Sequence, residues 1–482
     1  MSTKDIGVTV RRSEEFSEWY TQVVTKAGLA DYSVAKGFIV LMPYGYSIWE
    51  KIREFIDKRI KETGHRNAYF PALIPEGLLK KEADHFQGFV PEVFWVTHAG
   101  EGELGERLAA RPTSETIVYY SYAKWIKSWR DLPLLLNLWN SVLRAEITAT
   151  KPFIRNSEFL WQEGHTVHET KEDADREVMM ILNLYRDLIE GMLAIPVIVG
   201  KKTEREKFVG ALYTMTLEAI MGDGRALQMG TSHNLGQNFS IPFQIKYLGR
   251  DEMEHYAWQA SWGVSWRLIG ALVMVHGDDK GLVLPPKIAP IQIVIVPIFF
   301  SEEERKMVDA KAREIQAELD SAALSVEYDS REQFTPGWKF NEWEMKGVPL
   351  RIEVGPRDLK AGEVVAARRD TGERTTIKTE ELVTEAQRLL DRIQNDLFQK
   401  ARRFLEEHTQ KASSYEDFKQ ALQAKGGFIK ACWCSVQECE DRIKEETGAT
   451  IRAIPLEQEQ AWSTCIYCGK PADKVVYFAR AY

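Results

Sequence analysis

Leu143–Glu169, LRAEITATKPFIRNSEFLWQEGHTVHE, is the stretch whose reading decides the fold. Two runs with strand-like alternation flank a short polar loop, and residues two apart in a strand share a face. Arg144 and Glu146 therefore point the same way on the outgoing run. On the returning run Phe159, Trp161, Glu163 and His165 form one face, with Glu158, Leu160 and Gln162 on the other. An ordinary hairpin on a core separates apolar from polar residues. Here one face mixes aromatics with an acid and a histidine, which suits a ligand wall. The loop Thr148–Asn156 adds Lys151 and Arg155, cations able to meet a phosphate. The competing reading is a surface hairpin laced with salt bridges.

Outward from that hairpin, 482 residues predict a chain of about three domains. A hydrophobic content of 44% and a charged content of 28% are enough to bury large cores. The net charge of -8 argues against indiscriminate coating of nucleic acid, while leaving room for a local basic patch that docks one folded RNA. The first residues, MSTKDIGVTVRRSEEFSEW, contain no apolar secretory segment, and no apolar run has the length of a membrane span. A cytoplasmic protein with no membrane partner is expected. All five cysteines lie between Cys432 and Cys468, which favours a metal over disulfides.

Residues 1–284 read as one large α/β unit. Tyr46–Thr63 places Ile48, Trp49, Ile52, Phe55, Ile56 and Ile60 at helical spacing, with Gly64 as the stop. NAYFPALIP (67–75) reads as an edge or interface strand because Pro71 and Pro75 interrupt it. A second helix is predicted over Lys171–Met192. VLPPKIAP (283–290) is the clearest linker. Strands and helices then alternate over residues 285–395, through IQIVIVPI, SEEERKMVDAKAREIQAEL, SVEYD, LRIEVG and EVVAARR. That order predicts a compact α/β domain with a mainly parallel sheet. A long charged helix over Thr379–Glu407 leads into a cysteine-bearing module, 396–482.

No GxxxxGK[ST] occurs, so a P-loop is excluded. Gly100–Gly105 matches GxGxxG, but Glu101, Glu103 and Glu106 would repel a pyrophosphate and no βαβ unit surrounds it; a solvated turn is expected. In SWGVSWRLIGALVMVHGDDKG (261–281) a strand runs into a helix, so Arg267 stands near a helix N-terminus. A cation there opposes the helix dipole. It makes sense if an anion is held by the arginine and the free N–H groups, or if Arg267 pairs with an acid such as Asp278. RPTSE (111–115) precedes a helical run, where Thr113 and Ser114 could serve simply as caps. In ALQMGTSHNLGQNF (226–239), Gln228 and Gly230 share a strand face and His233 follows, a position more often structural than catalytic.

Together these motifs resemble a class II aminoacyl-tRNA synthetase, specifically the prolyl-tRNA synthetase family of the archaeal and eukaryotic type. The segment Tyr46–Pro71 is similar to class II motif 1, RAE followed by IRNSEF to motif 2, and the Arg267 region to motif 3. RPTSE, WQEGHT and TSHNLGQNF point to proline. The resemblance covers essentially the whole chain. It implies an antiparallel-sheet catalytic domain, an α/β anticodon-binding domain and a small zinc-binding α/β C-terminal domain, working as a homodimer joined through motif 1.

The resemblance also implies roles. Arg144 would hold the ATP α-phosphate and later the adenylate, Glu146 would read the adenine amino group, and Phe159 would stack on the base. Arg155 and Arg267 would clamp the outer phosphates, Gln228 and Thr231 would line the nucleotide, and Glu218 would be a Mg²⁺ ligand. For L-proline, Thr113 and Glu115 would bind the amine, with Arg144 and His233 as further polar contacts. Phe89, Trp161, Glu163, His165 and Phe208 would wall the ring. Such a pocket excludes large side chains but rejects small ones weakly, since a missing methylene is worth only ~1–3 kcal/mol. Alanine should leak in. Bacterial relatives carry an editing insertion between motifs 2 and 3, but the interval from His165 to Arg267 is already filled by catalytic strands, so no cis editing is expected.

Cys434-x4-Cys439 and Cys465-x2-Cys468 have the spacing of a tetrahedral zinc site, with Cys432 as an alternative to Cys434. His165 and His168 are no metal pair, because three apart on a strand they face opposite sides. FTPGWKFNEWEMKGVPLRIEVGPRDL resembles the family's anticodon-reading segment, which makes Glu344, Arg351 and Arg357 candidates for contacting the guanines of tRNA(Pro). A plain surface pair is the competing reading for the first two. Two other functions compete: another class IIa synthetase, and a synthetase-like RNA-binding regulator that has lost a phosphate arginine. RPTSE with WQEGH speaks against the first, and the presence of Arg144, Arg155 and Arg267 against the second.

Overall fold

The computed structural model describes residues 7–83, 92–145 and 149–482; Phe89 and Glu146 lie outside them. The returning strand forms as expected over Glu158–His168, but its partner is Leu134–Leu143, upstream of the run expected to start there, paired antiparallel from Leu134 with Val167 to Leu143 with Glu158. Arg144 stands just beyond the end of its strand. The loop is less polar than its sequence suggests. Phe153 and Ile154 are buried, and Tyr20 donates to the Pro152 carbonyl at 2.6 Å, which pins the turn to the core.

This hairpin belongs to an eleven-stranded sheet. After Glu158–His168 come Trp258–Ser265, Ala226–Gly236, Tyr213–Ile220 and Ile198–Lys201, each antiparallel to its neighbour. On the far side Leu134–Leu143 pairs in parallel with the edge strand Arg66–Ala68. Helices Phe16–Lys26, Pro43–Glu62, Lys171–Arg186 and Arg267–His276 contribute to the large apolar core that includes Trp262 and Val264 of the sheet. The alternation of Glu158–His168 shows which face is which. Gln162 accepts from Tyr185 of the helix at 2.6 Å, and a Cβ on Gly164 would fall inside the Trp262 ring, so these residues face the core. Phe159, Trp161, Glu163 and His165 face the other way.

Three local expectations change. NAYFPALIP is two strands, because Arg66–Ala68 joins the large sheet while Leu73–Pro75 joins Gly102–Ala110 in a three-stranded one. Residues around Pro71 make the switch between sheets, as a residue without an N–H allows. The second helix is α-helical over Lys171–Arg186 and closes with a π-helical segment, Asp187–Met192. The motif 1 helix runs Pro43–Glu62, and Gly64, at φ 89°, takes the left-handed conformation that ends it. Of the GxGxxG segment only Gly100 and Glu101 form the exposed turn, and Gly102–Gly105 open the strand Gly102–Ala110.

In the next unit the sheet order is Val326–Tyr328, Ile293–Pro297, Leu350–Val354, Glu363–Arg368 and Arg374–Lys378. The first three are parallel and the last two antiparallel, so the sheet is mixed rather than mainly parallel. Glu363–Arg368 and Arg374–Lys378 are hairpin neighbours, too close in sequence for the crossover a parallel pair requires. The linker is no loose tether, since Leu282, Val283, Leu284, Ile288 and Ala289 are buried.

The long helix Leu382–Glu407 crosses the expected domain boundary in mid-course. Leu382, Ala386, Leu389 and Leu390 lie in the core of the mixed sheet. Ile393 and Leu397 pack with Ala194 and Val283, and Phe404 and Leu405 reach Phe428 and Ala479 of the C-terminal module. That module is also fused edge to edge with the catalytic sheet, where Ile454 and Pro455 pair with Lys201 and Gly200. Among the described residues no helix is long and apolar enough to cross a membrane.

Candidate functional site

The site lies on the polar face of the hairpin and its neighbours, as two cavities with a common wall. The first, about 240 Å³, includes Arg144, Arg155, Phe159, Gln228, Thr231 and Arg267 in its lining. The second, about 210 Å³, includes Thr113, Glu115, Glu163, His165, Phe208 and His233. Arg144, Trp161, Gln228, Thr231 and Gly263 line both. Every described residue expected to touch nucleotide or amino acid therefore lies in one of two adjoining compartments, except Glu218.

Strand register explains the division. Trp161 sits opposite Ser265, Glu163 opposite Gly263 and His165 opposite Ser261. A Cβ at Gly263 would come within 2.7 Å of the Trp161 indole nitrogen, so glycine there lets that ring lie across the floor. The Arg144 guanidinium is 5.2 Å from the centroids of both the Phe159 and Trp161 rings, and its Nε donates to the Pro112 carbonyl at 3.2 Å. It is thus held at the junction by two aromatic faces and the RPTSE turn.

The first compartment is rich in positive charge. Arg267 opens its helix as expected, and Asp278 is not its partner, because that acid is held by Arg369 at 2.6 Å. Burial holds the Arg267 guanidinium down at about 10, and Arg144, Arg452 and Arg155 push the same way. Glu218 alone among the principal charges acting on it opposes them. The Glu218 carboxylate is already taken. It accepts from Lys202 at 2.7 Å and from Arg452 at 3.0 Å, and it is fully buried. Glu218, the magnesium ligand that the resemblance implies, is engaged here by two cations of the chain. Arginines gathered around one cleft near a helix start make a receptor for a polyanion.

The second compartment has the opposite sign. Glu163 accepts from Asn140 at 2.9 Å and from the Ser114 hydroxyl, and its other oxygen lies 3.0 Å from His165 Nε2. Burial works against its charge, yet the His165, Ser114 and Asn140 contacts hold it below the ordinary carboxylate value. Burial likewise works against His165, and the two glutamates raise it. Burial pushes Glu115 up, against the pull of His165 and with the push of Glu163. Two acids to one imidazole leave the pocket matched to an incoming ammonium. Neither hydroxyl of RPTSE acts as a helix cap, the competing reading: Ser114 goes to Glu163, and Thr113 bonds Glu115. His233 faces the compartment rather than the core; burial holds it down at about 3, so it stays neutral, bonded to Thr214 at 2.9 Å with the Phe208 ring 4.8 Å away.

Among the site residues that the sequence reading did not single out, Asn156 and Ser261 stand out by their polar groups. Asn156 lines the first compartment and Ser261 the second, both buried, with no protein partner for the Asn156 amide or the Ser261 hydroxyl among the described residues. The only signal was position: Asn156 follows Arg155, and Ser261 alternates with Gly263.

In the C-terminal module the Cys434 Sγ is 3.7 Å from those of Cys439 and Cys468, and the four Sγ atoms of Cys434, Cys439, Cys465 and Cys468 lie within 4.8 Å of one another. Sulfurs at the corners of a tetrahedron with zinc bonds of ~2.3 Å stand ~3.8 Å apart, so the donors fit that ion. Cys432 is buried in the strand Phe428–Trp433, outside the cluster.

Glu344 of the helix Pro336–Met345 meets Arg351 of the strand Leu350–Val354 at 3.1 Å, and Arg351 also pairs with Glu353. That is the surface-pair arrangement. Arg357 is exposed in the short helix Pro356–Lys360. A feature not singled out from sequence stands nearby: the rings of Phe334 and Trp338 stack at 3.7 Å, with the Arg331 guanidinium 5.1 Å from the former.

The chain matches three family models: the tRNA synthetase class II core domain (G, H, P, S and T) over residues 94–276, the anticodon binding domain over 292–389, and the C-terminal domain of prolyl-tRNA synthetase over 415–482. It is 57% identical over 477 residues to a proline–tRNA ligase of Cenarchaeum symbiosum, covering 99% of this chain and 100% of that one. A proline–tRNA ligase of Natranaerobius thermophilus is 54% identical over 98% of this chain and 97% of its own, and proline–tRNA ligase 2 of Clostridioides difficile is 52% identical over the same shares.

Proposed function

Because the chain belongs to the prolyl-tRNA synthetase family, we propose that its two compartments hold MgATP and L-proline for adenylate formation, followed by transfer to tRNA(Pro). The observation that carries this reading is the shared wall: Arg144, Trp161, Gln228, Thr231 and Gly263 border both cavities, so the reactants meet at Arg144. Proline lies with its ammonium toward Glu115 and Thr113 and its ring against Trp161 and Phe208. Its carboxylate, already ionised, attacks the α-phosphorus. The bond to the bridging oxygen breaks, and pyrophosphate leaves under the charge of Arg155 and Arg267. Arg144 stabilises the negative charge that develops on the α-phosphate oxygens. A terminal ribose hydroxyl of the tRNA then attacks the prolyl carbonyl and AMP leaves. Phe159 packs on the adenine, and Glu146 reads its amino group.

ATP–pyrophosphate exchange measured with each of the twenty amino acids tests this. Proline should give the strongest signal, and another amino acid doing so would refute it.

Four subsidiary readings accompany the main one. The interval from His165 to Arg267 is occupied by the helix Lys171–Arg186 and by strands of the catalytic sheet, which supports the absence of an editing domain; hydrolysis of alanyl-tRNA(Pro) by the purified chain would count against it. The bacterial relatives named above align over 97% of their own length, so a bacterial origin does not by itself bring an insertion. The open edge at Arg66–Ala68, beside the helix Pro43–Glu62, supports a homodimer, which sedimentation checks. The cysteine cluster supports one structural zinc per chain, measurable by elemental assay. Anticodon reading by Arg357, Glu344 and Arg351 has weaker support, since the last two satisfy each other.

A further inference from the structure

We propose that the C-terminal module positions the wall of the proline compartment, with Glu440, Asp441 and Arg452 acting through the loop 202–208. This rests on reading the Glu163 compartment as the proline pocket.

The loop leaves the strand Ile198–Lys201 and contributes Glu206, Lys207 and Phe208 to that compartment. Its other side belongs to the module. Lys202 donates to the Arg452 carbonyl at 3.0 Å and to Glu218 at 2.7 Å, while Arg452 closes on Glu218. The Thr203 hydroxyl donates to Glu440 at 2.9 Å and accepts from the Glu206 N–H at 3.2 Å. Arg205 pairs with Asp441, and Glu206 lies 4.0 Å from both Lys444 and Arg452. Toward the pocket, the Phe208 N–H donates at 2.9 Å to the Thr214 hydroxyl that holds His233.

Exposed pairs in such a set contribute little each. Thr203, Glu440, Lys202 and Glu218 are buried, however, and a buried polar group keeps its partner because leaving it unmade is costly. The module thus fixes where Phe208 stands. Phe208 contacts ring methylenes, which proline has and alanine lacks, so a displaced wall weakens proline selectively. The nucleotide cavity has no residue of this loop in its lining and should not respond.

The test uses full-length chains carrying Arg205→Asp, Thr203→Val, or the swap Arg205→Asp with Asp441→Arg. Pyrophosphate exchange is measured with proline and with alanine, and melting temperature is recorded alongside. Each single change should raise the proline KM by about tenfold. The ATP KM should stay within about twofold, and the ratio of proline to alanine kcat/KM should fall. The swap should restore that ratio. Thr203→Val keeps the side-chain volume and carries the test if the charge reversal does not fold. An equal rise in the ATP KM, an unchanged ratio in the single variants, or a swap that fails to restore it overturns the proposal. An unaltered chain without proline-dependent exchange overturns the underlying reading as well.

Discussion

Two charge clusters on one sheet are built on opposite terms. Around Glu218, the fold supplies both signs: one buried carboxylate meets Lys202 and Arg452, and Thr216 donates a further hydrogen bond at 2.8 Å. Around Arg267, it supplies chiefly one sign, with Arg144, Arg155 and Arg452 adding to the repulsion and the opposing acid already engaged. Like charges held near one another are costly unless something outside the chain neutralises them. The comparison teaches where to look for a ligand. A closed cluster holds protein to protein, whereas an open one waits for a solute of the missing sign. The proline compartment follows the same rule with the signs reversed.

The largest effect should come from opening the closed cluster. Glu218→Gln leaves Lys202 and Arg452 without their carboxylate and should destabilise the chain by about 3–5 kcal/mol in denaturant unfolding, with the ATP KM of the folded molecules largely kept. If activity collapses while stability holds, Glu218 belongs with the open cluster and the contrast breaks.

Arg267→Gln should do the reverse. We expect a fall of about 10²–10³-fold in kcat/KM for exchange, with stability unchanged or slightly raised, because a repulsive charge has been removed.

Acid probes burial without charge. Burial holds His276 at about 4, below its ordinary 6.5, while it bonds the Leu193 carbonyl. The depressed value means that the unfolded chain takes up the proton first as pH falls. The contribution is full above the ordinary value and is lost as pH drops from there toward about 4. Between neutrality and about pH 5 the His276 contribution should shrink by roughly 2 kcal/mol, and His276→Gln should flatten that part of the stability profile.

Smallest is the change that sharpens the open cluster without touching its charge. Phe159→Ala should weaken ATP by about 1–2 kcal/mol, seen as a higher ATP KM at unchanged proline KM.

Much of the site was legible because its logic is local. Alternation two residues apart put Phe159, Trp161, Glu163 and His165 on one face, and the strand-to-helix turn put Arg267 at a helix start. Spacing grouped the thiols of the C-terminal module but left Cys432 as an alternative to Cys434, a choice that only the position of the four sulfurs makes. The omissions share one cause. The ion pairs of Glu218 were not legible because Arg452, which closes its cluster, lies 234 positions away. The packing of the linker was not legible because nothing within it reveals the helix packed on Val283. Asn156 and Ser261 were passed over because an unpartnered amide or hydroxyl is visible only once its surroundings are known.

The amino-acid sequence by itself determined where most helices and strands lie, the faces that neighbouring side chains share along them, and the family. Tertiary structure alone decided which charges cancel, how the C-terminal sheet joins the catalytic one, and that the two compartments share a wall. The physical reason is range. Side-chain direction follows from backbone geometry over a few residues, whereas neutralisation and cavity shape depend on strand order, which brings together residues that no local pattern connects.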